Sequence, residues 1–128
     1  MPALKFAIVD DEDLVRGVIC DVVREAWPTA EIAEFASARH AFHEVETGTV
    51  DLLITNCHMT DMDGPTLVRM LREQKHSILV LMVSGSDDAR QLGEAAGIDR
   101  FVAKNLLHTE LVDAITTLLG SSKRLATG

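Results

Sequence analysis

Short apolar runs alternate along this chain with segments whose apolar residues recur at helical spacing. The runs predict strands at residues 4–9, 51–55, 78–83 and 100–103, and alternation at period two around Ile32 predicts another strand at residues 30–36. The segments between and after them predict helices at residues 14–27, 38–47, 64–74 and 87–96, and a last helix that ends at Gly120. Because strand and helix alternate strictly, we expect an α/β fold in which helices cover both faces of one parallel sheet.

Capping residues predict where individual helices begin and end. Ser37 is the expected N-cap of the second helix and Gly48 its stop, while Ser86 or Asp87 is expected to cap the fourth helix before Gly97 ends it. The first helix is expected to bury one face, formed by Leu14, Val18, Ile19, Val22 and Ala26.

Composition narrows the class of protein. A chain of 128 residues fits one domain, here expected over residues 1–120 with a tail or linker stub at 121–128. A hydrophobic content of 47% with only 4% aromatic residues predicts an aliphatic core. The net charge of -8 argues against binding nucleic acid or an anionic membrane. Without a membrane-length apolar run, a signal peptide or metal-binding cysteine spacing, the chain is expected to be cytoplasmic.

Polar residues follow four of the predicted strands at the point where each strand ends. Asp10 and Asp11 follow the first strand, Asn56 the third, Ser84 the fourth and Lys104 the fifth. Right-handed crossovers place the carboxyl ends of parallel strands at one edge of the sheet, where ligands bind in such folds. We therefore expect these side chains to form one site.

Four segments resemble the receiver domains of two-component response regulators, and the resemblance extends to about residue 120. They are AIVDDE at 7–12, DLLITNCHMTDMDG at 51–64, LMVSG at 81–85 and RFVAK at 100–104. The resemblance implies a flavodoxin-like (βα)5 three-layer sandwich with a five-stranded parallel sheet in the order 2-1-3-4-5.

The resemblance also implies a magnesium site. Asp10 and Asp11 match the acidic pair that holds the ion, directly or through water, and the backbone carbonyl of His58 matches the main-chain ligand. Asn56 matches the remaining ligand position, but as a neutral amide it supplies one negative charge fewer. Mg2+ binding is therefore expected to be possible but weakened.

Phosphoryl chemistry is implied at the same place. Ser84 and Lys104 match the residues that contact the phosphoryl group, and Phe101 matches the switch aromatic. The residue at the phosphoacceptor position, however, is Asn56, where the family has aspartate. A carboxylate can attack phosphorus, whereas a carboxamide has a delocalised nitrogen lone pair and an uncharged oxygen. We therefore expect the site to contain no catalytic residue.

Three interpretations of Asn56 stay open at this point. The chain is a receiver that works as a phosphorylation-independent or blocked switch and docking module. Alternatively, it is an ordinary phospho-accepting receiver that carries an engineered aspartate-to-asparagine change. Thr60 and Asn105 stand where the family has proline, which favours natural divergence over engineering. Without proline at position 105, we expect the Lys104-Asn105 bond to be trans. Deamidation of Asn56 to aspartate is the third, and it is disfavoured because Cys57 and not glycine follows. Relocated phosphorylation on Asp61 or Asp63 is a further possibility, although Asp63-Gly64 is better interpreted as a turn before the third helix. A small flavodoxin-like binding protein or a magnesium-dependent phosphatase is a remote alternative.

The expected function is signalling through protein partners and not metabolic catalysis. The family implies a histidine kinase or another signalling protein as partner, and possible homodimerisation through residues 87–119. No nucleic-acid or membrane partner is expected.

Overall fold

The computed structural model describes residues 3–121. Its strands are β1 (Lys5–Val9), β2 (Glu31–Phe35), β3 (Leu52–Thr55), β4 (Leu79–Ser84) and β5 (Arg100–Ala103). Its helices are α1 (Asp13–Ala26), α2 (Ala38–Glu46), α3 (Gly64–Glu73), α4 (Ala89–Ala96) and α5 (Leu107–Ser121), with a 3-10 turn (Lys104–Leu106) before α5. The strands form one parallel sheet in the order β2-β1-β3-β4-β5, which confirms the predicted fold and strand order. The tail expected at 121–128 lies outside the described residues, apart from Ser121, which ends α5.

The sheet separates two hydrophobic layers. In β1, Phe6 and Ile8 face the layer formed with α1 and α5, whereas Ala7 and Val9 face the layer formed with α2 and α3. All four side chains are buried, because helices cover both faces of the central strands. This double burial explains why the central strands appear in the sequence as continuous apolar runs.

The buried face of α1 differs from the predicted one. The helix buries Ile19, Cys20 and Val23. Leu14 and Val18, which were predicted to be buried, are 87% and 37% exposed. Apolar residues occur on more than one side of this helix, so periodicity alone does not decide which side packs on the sheet.

The predicted helix ends are confirmed at the N-terminus of α2 and the C-terminus of α4, but not at the N-terminus of α4. The Ser37 hydroxyl accepts from His40 N at 3.3 Å, which confirms it as the N-cap of α2, and Gly97 ends α4 with a φ of 107°. The N-cap of α4 is Asp88, without a side-chain cap bond, so the prediction of Ser86 or Asp87 was wrong. The Asp88 carboxylate accepts from the Ser86 hydroxyl instead.

Within residues 3–121, none of the helices has both the length and the apolar character that crossing a membrane requires.

Candidate functional site

The carboxyl ends of the strands bring the predicted polar residues to one edge of the sheet. Asp10 directly follows β1 and Asn56 directly follows β3, and these two strands pair in register up to Val9 and Thr55. Asp10, Asn56 and Ser84 are 1%, 5% and 4% exposed, although Glu12, His58 and Gly85 close to them in the chain are exposed. Three polar side chains are therefore held in a largely buried position at this edge.

The Asn56 side chain is hydrogen-bonded through both ends of its amide. Its Oδ1 accepts from Cys57 N at 2.8 Å. Its Nδ2 donates to the backbone carbonyl of His58 at 2.9 Å and to Asp10 Oδ1 at 3.4 Å. The amide nitrogen, and not its oxygen, therefore faces Asp10.

Asp10 is a buried carboxyl group with uneven hydrogen bonding. Oδ1 accepts from Glu12 N at 2.9 Å as well as from Asn56. Oδ2 is the one buried side-chain polar atom of residues 3–121 without a hydrogen-bond partner. Burial raises the pKa of Asp10, and the Glu12 N–H group and the charge of Lys104 oppose this increase.

Two cations lie near the acidic segment. Lys104 Nζ pairs with Glu12 Oε1 at 2.8 Å. Arg16 Nη1 donates to the backbone carbonyl of Asp10 at 2.7 Å and Nη2 pairs with Asp13. Neither Glu12 as the partner of Lys104 nor Arg16 as a site residue was predicted from the sequence. The three-residue spacing of Asp13 and Arg16 on a helix was the available signal for Arg16.

The loops after β3 and β4 contact each other above the site. His58 Nε2 lies 3.2 Å from Asp88 Oδ1, and the same oxygen accepts from the Ser86 hydroxyl at 2.9 Å. Ser86 Oγ lies 3.5 Å from Ser84 Oγ. A chain of polar contacts thus joins His58 to Ser84, and no sequence pattern predicted Asp88 as its middle member.

The two aspartates considered for relocated phosphorylation act as helix caps. Asp61 accepts from Ser37 Oγ and from the backbone N–H groups of Ala38 and Arg39, at the start of α2. Asp63 accepts from Thr66 N at 2.8 Å and caps α3, in agreement with its predicted place in the turn before that helix. Both carboxylates are thus hydrogen-bonded at helix starts, which argues against relocated phosphorylation.

Phe101, the predicted switch aromatic, is half-buried. Its ring packs beside Cys57, Met82 and Ala89. The Arg90 guanidinium carbon lies 4.6 Å from the ring centroid, which is cation–π geometry. The outer face of the ring is therefore covered by an arginine from α4.

The backbone after β5 is trans, as predicted: residues 3–121 contain no cis peptide bond, and this includes Lys104-Asn105.

In this structure the predicted magnesium ligands are engaged in hydrogen bonds and are not grouped around a common point. The unpartnered Asp10 Oδ2 is a suitable ligand atom. However, Asn56 presents N–H groups to Asp10 and to the His58 carbonyl, and Asp11 Oδ2 accepts from Thr60 N at 3.2 Å. No group of three acidic, histidine or cysteine side chains within residues 3–121 is arranged to hold a metal. The weakened magnesium site stays a prediction.

The fold and the residues at this edge define a receiver-type signalling domain. The sequence matches the response regulator receiver domain family over residues 6–116. The chain therefore belongs to that family. Receiver domains typically bind Mg2+ at the acidic pocket.

Relatives and solved structures agree with this assignment. The chain is 29% identical over 120 residues to the cyclic di-GMP phosphodiesterase response regulator RpfG of Xanthomonas campestris, covering 91% of this chain and 32% of that protein. It is 30% identical over 118 residues to the transcriptional regulatory protein CusR of Escherichia coli, covering 91% and 51% respectively. This chain thus spans only part of the length of these relatives.

Among solved structures, a putative response regulator from Chloroflexus aurantiacus is 27% identical, with a TM-score of 0.82 over 91% of this chain and 98% of that one. The receiver domain of NarL from Mycobacterium tuberculosis is 18% identical, with a TM-score of 0.83 over 95% and 100%. The second likeness concerns the fold alone.

Proposed function

We propose that this chain is a non-enzymatic receiver module of a two-component phosphorelay that transmits its signal by docking to protein partners, without a phosphoryl group on residue 56. The observation that supports this most directly is the hydrogen-bonded carboxamide of Asn56 at the phosphoacceptor position. Because the chain belongs to the receiver family, we prefer this function to the remote alternatives of a small flavodoxin-like binding protein or a magnesium-dependent phosphatase. We expect the module to be cytoplasmic and to bind Mg2+ only weakly.

The chemistry of the amide explains the loss of phosphoryl transfer. A nucleophile must offer a lone pair to phosphorus, and an aspartate does so with a charged oxygen. Asn56 Oδ1 is neutral and accepts from Cys57 N, while Nδ2 donates to two acceptors and has its lone pair delocalised into the carbonyl. Neither atom can form a stable acyl phosphate.

Treatment with acetyl phosphate and MgCl2 tests the proposal. We expect mass spectrometry of the intact wild-type chain to show no stable phosphoryl adduct, whereas Asn56→Asp forms one. Asn105→Asp is a matched control, because it makes the same change at an exposed position just after Lys104. An acyl-phosphate adduct on the wild-type chain would overturn the proposal.

The same experiment bears on the alternative of an engineered residue. Labelling of Asn56→Asp would show that Ser84, Lys104 and the aspartate pair remain competent. Failure of a folded Asn56→Asp chain to become labelled would indicate that the rest of the site has also diverged, which is the outcome expected of a natural variant. The codon in the source genome separates the two origins directly.

The most exposed apolar side chain favours the surface between α1 and α5 for docking, because Leu14 is 87% exposed. A cavity of about 200 Å³ lies there, and Leu14, Val18, Leu107 and Lys104 contribute to its lining. On the 87–119 face that the family resemblance favours, Leu92 and Leu106 are each 40% exposed and the Phe101 ring is covered by Arg90.

The charge around this groove indicates the chemistry of the partner. An adjoining pocket between the same two helices includes Glu25, and Asp13 lies on the first turn of α1. Together with the net charge of -8 on the whole chain, these two acidic side chains favour a partner that presents an apolar helix with basic flanks. We propose that a histidine kinase or another signalling protein supplies that helix.

Two leucine variants distinguish the candidate surfaces. Helical segments of the histidine kinases encoded in the source genome are titrated calorimetrically against wild type, Leu14→Ser and Leu92→Ser. We expect Leu14→Ser to weaken binding and Leu92→Ser to leave it unchanged. The opposite pattern would place docking on the 87–119 face. Sedimentation of the same three chains tests the predicted homodimer through residues 87–119, which Leu92→Ser should weaken.

A further inference from the structure

We propose that the Asn56 amide takes the place of a divalent cation in this chain, because it joins Asp10 to the β3–α3 loop by hydrogen bonds and so makes the site independent of Mg2+. The inference rests on the proposed function and extends it. It assigns Asn56 a positive structural role beyond the absence of a nucleophile.

The orientation of the amide is fixed by three contacts. Oδ1 meets a donor, the N–H of Cys57 at 2.8 Å, and Nδ2 meets two acceptors, the His58 carbonyl at 2.9 Å and Asp10 Oδ1 at 3.4 Å. Rotating the amide by half a turn would place its oxygen against two oxygen atoms and its NH2 group against an N–H group. All three contacts would then be repulsive.

The two acceptors are the oxygen atoms that the family resemblance assigns to the metal. The Asp10 carboxylate and the His58 carbonyl would help to hold a cation, and the NH2 group of Asn56 donates its two hydrogens to the same two groups. The hydrogens carry partial positive charge and occupy oxygen atoms that would otherwise serve as ligands. A cation therefore has to displace them, at a cost that an aspartate at this position would not impose.

Burial makes this bridge structurally important. Asp10 is 1% exposed and Asn56 is 5% exposed, so solvent does not compete effectively for their hydrogen bonds. The β3–α3 loop is tied down at a second point, because Gly64 N donates to Cys57 O at 2.6 Å and a Cβ on Gly64 would collide with the Asn56 carbonyl. The amide thus lies in a loop whose backbone has little room to move.

Side-chain amide exchange observed by NMR tests the bridge directly. The chain has only two asparagines, so the exposed Asn105 is an internal control for Asn56. We expect the Asn56 NH2 protons to exchange with solvent much more slowly than those of Asn105, and their chemical shifts to stay unchanged in millimolar MgCl2. Equal exchange rates, or Mg2+-dependent shifts of the Asn56 NH2 signals, would overturn the inference.

A metal titration provides the second arm. We expect Asn56→Asp to bind Mg2+ more tightly than wild type, by roughly tenfold or more, and to gain melting temperature on Mg2+ addition. Wild type and Asn105→Asp should show neither effect. Similar Mg2+ affinities for wild type and Asn56→Asp would contradict the inference. If Asn56→Asp does not fold, amide exchange in the wild-type chain still tests the inference.

The two proposals can fail separately. A wild-type chain that resists acetyl phosphate but exchanges its Asn56 NH2 protons freely would overturn this inference and leave the proposed function standing. A chain with protected NH2 protons that nevertheless forms an acyl phosphate would overturn the proposed function.

Discussion

Replacing Asn56 with aspartate is expected to destabilise the protein in metal-free buffer. The change removes the hydrogen bonds from Nδ2 to the His58 carbonyl and to Asp10, and it places a carboxylate beside a carboxyl group that is 1% exposed. At the 3.4 Å between Asn56 Nδ2 and Asp10 Oδ1, two unit charges repel by about 5 kcal/mol at an effective dielectric constant of about 20 and by about 1 kcal/mol in water. Between these limits we expect the free energy of unfolding to fall by about 3 kcal/mol.

The pH dependence of this loss has a definite sign. Burial already raises the pKa of Asp10, and a second carboxylate beside it would raise the pKa of the pair further. A carboxyl group whose pKa is raised by folding binds its proton more tightly in the folded chain. The contribution of this pair to the stability of the variant is therefore greatest below the unfolded-state pKa of about 4 and is lost as the pH rises through the folded-state value.

Urea unfolding of wild type, Asn56→Asp and Asn105→Asp in EDTA, at about pH 5 and about pH 8, measures the effect. We expect a larger loss for Asn56→Asp at the higher pH and a change within about 0.5 kcal/mol for the exposed control. An unchanged or increased stability of Asn56→Asp at the higher pH would refute the clustered-acid argument, as would an equal loss in both variants.

Four further substitutions test other parts of the structure by urea unfolding. Asp61→Ala should lower the free energy of unfolding by about 1 kcal/mol, because the Asp61 carboxylate caps α2. Hydrogen bonds lower the pKa of Asp61, although burial opposes them. The difference in stability from wild type should therefore shrink as the pH falls through that pKa. Arg72→Met should lower the free energy of unfolding by about 3 kcal/mol, since the guanidinium donates to three backbone carbonyls and one carboxylate. A loss below about 1 kcal/mol, the contribution of one ordinary hydrogen bond, would contradict this. Gly64→Ala should cost about 3 kcal/mol through collision with the Asn56 carbonyl, whereas Gly17→Ala, with open space around it, should be neutral or stabilising.

The order of strands and helices was accessible from the sequence because it depends on local patterns. Each central strand is buried on both faces, so it appears as a continuous apolar run such as residues 78–83, and capping residues such as Ser37 and Gly97 act within one helical turn. The strand order was not accessible from periodicity. It came from the resemblance to the receiver family, and the sheet confirms it.

The face that α1 buries was decided by tertiary packing. Leu14 and Val18 fit the apolar periodicity as well as Ile19 does, yet they lie at the surface and Ile19 lies in the core. The choice depends on how α1 meets the sheet and α5, contacts that join residues far apart in the chain. Periodicity records that a helix is amphipathic but not the angle at which it docks when apolar residues occupy more than one side.

For the candidate site, the sequence by itself determined that Asp10, Asn56, Ser84 and Lys104 each follow or end a strand, and that residue 56 is an amide. Only the tertiary structure decided which way the amide points. The hydrogen-bond partners of the amide are the Asp10 carboxylate and backbone atoms of neighbouring residues in the β3–α3 loop. Hydrogen-bond direction depends on where those atoms lie in space, and a residue's identity specifies what it can donate or accept but not to which partner.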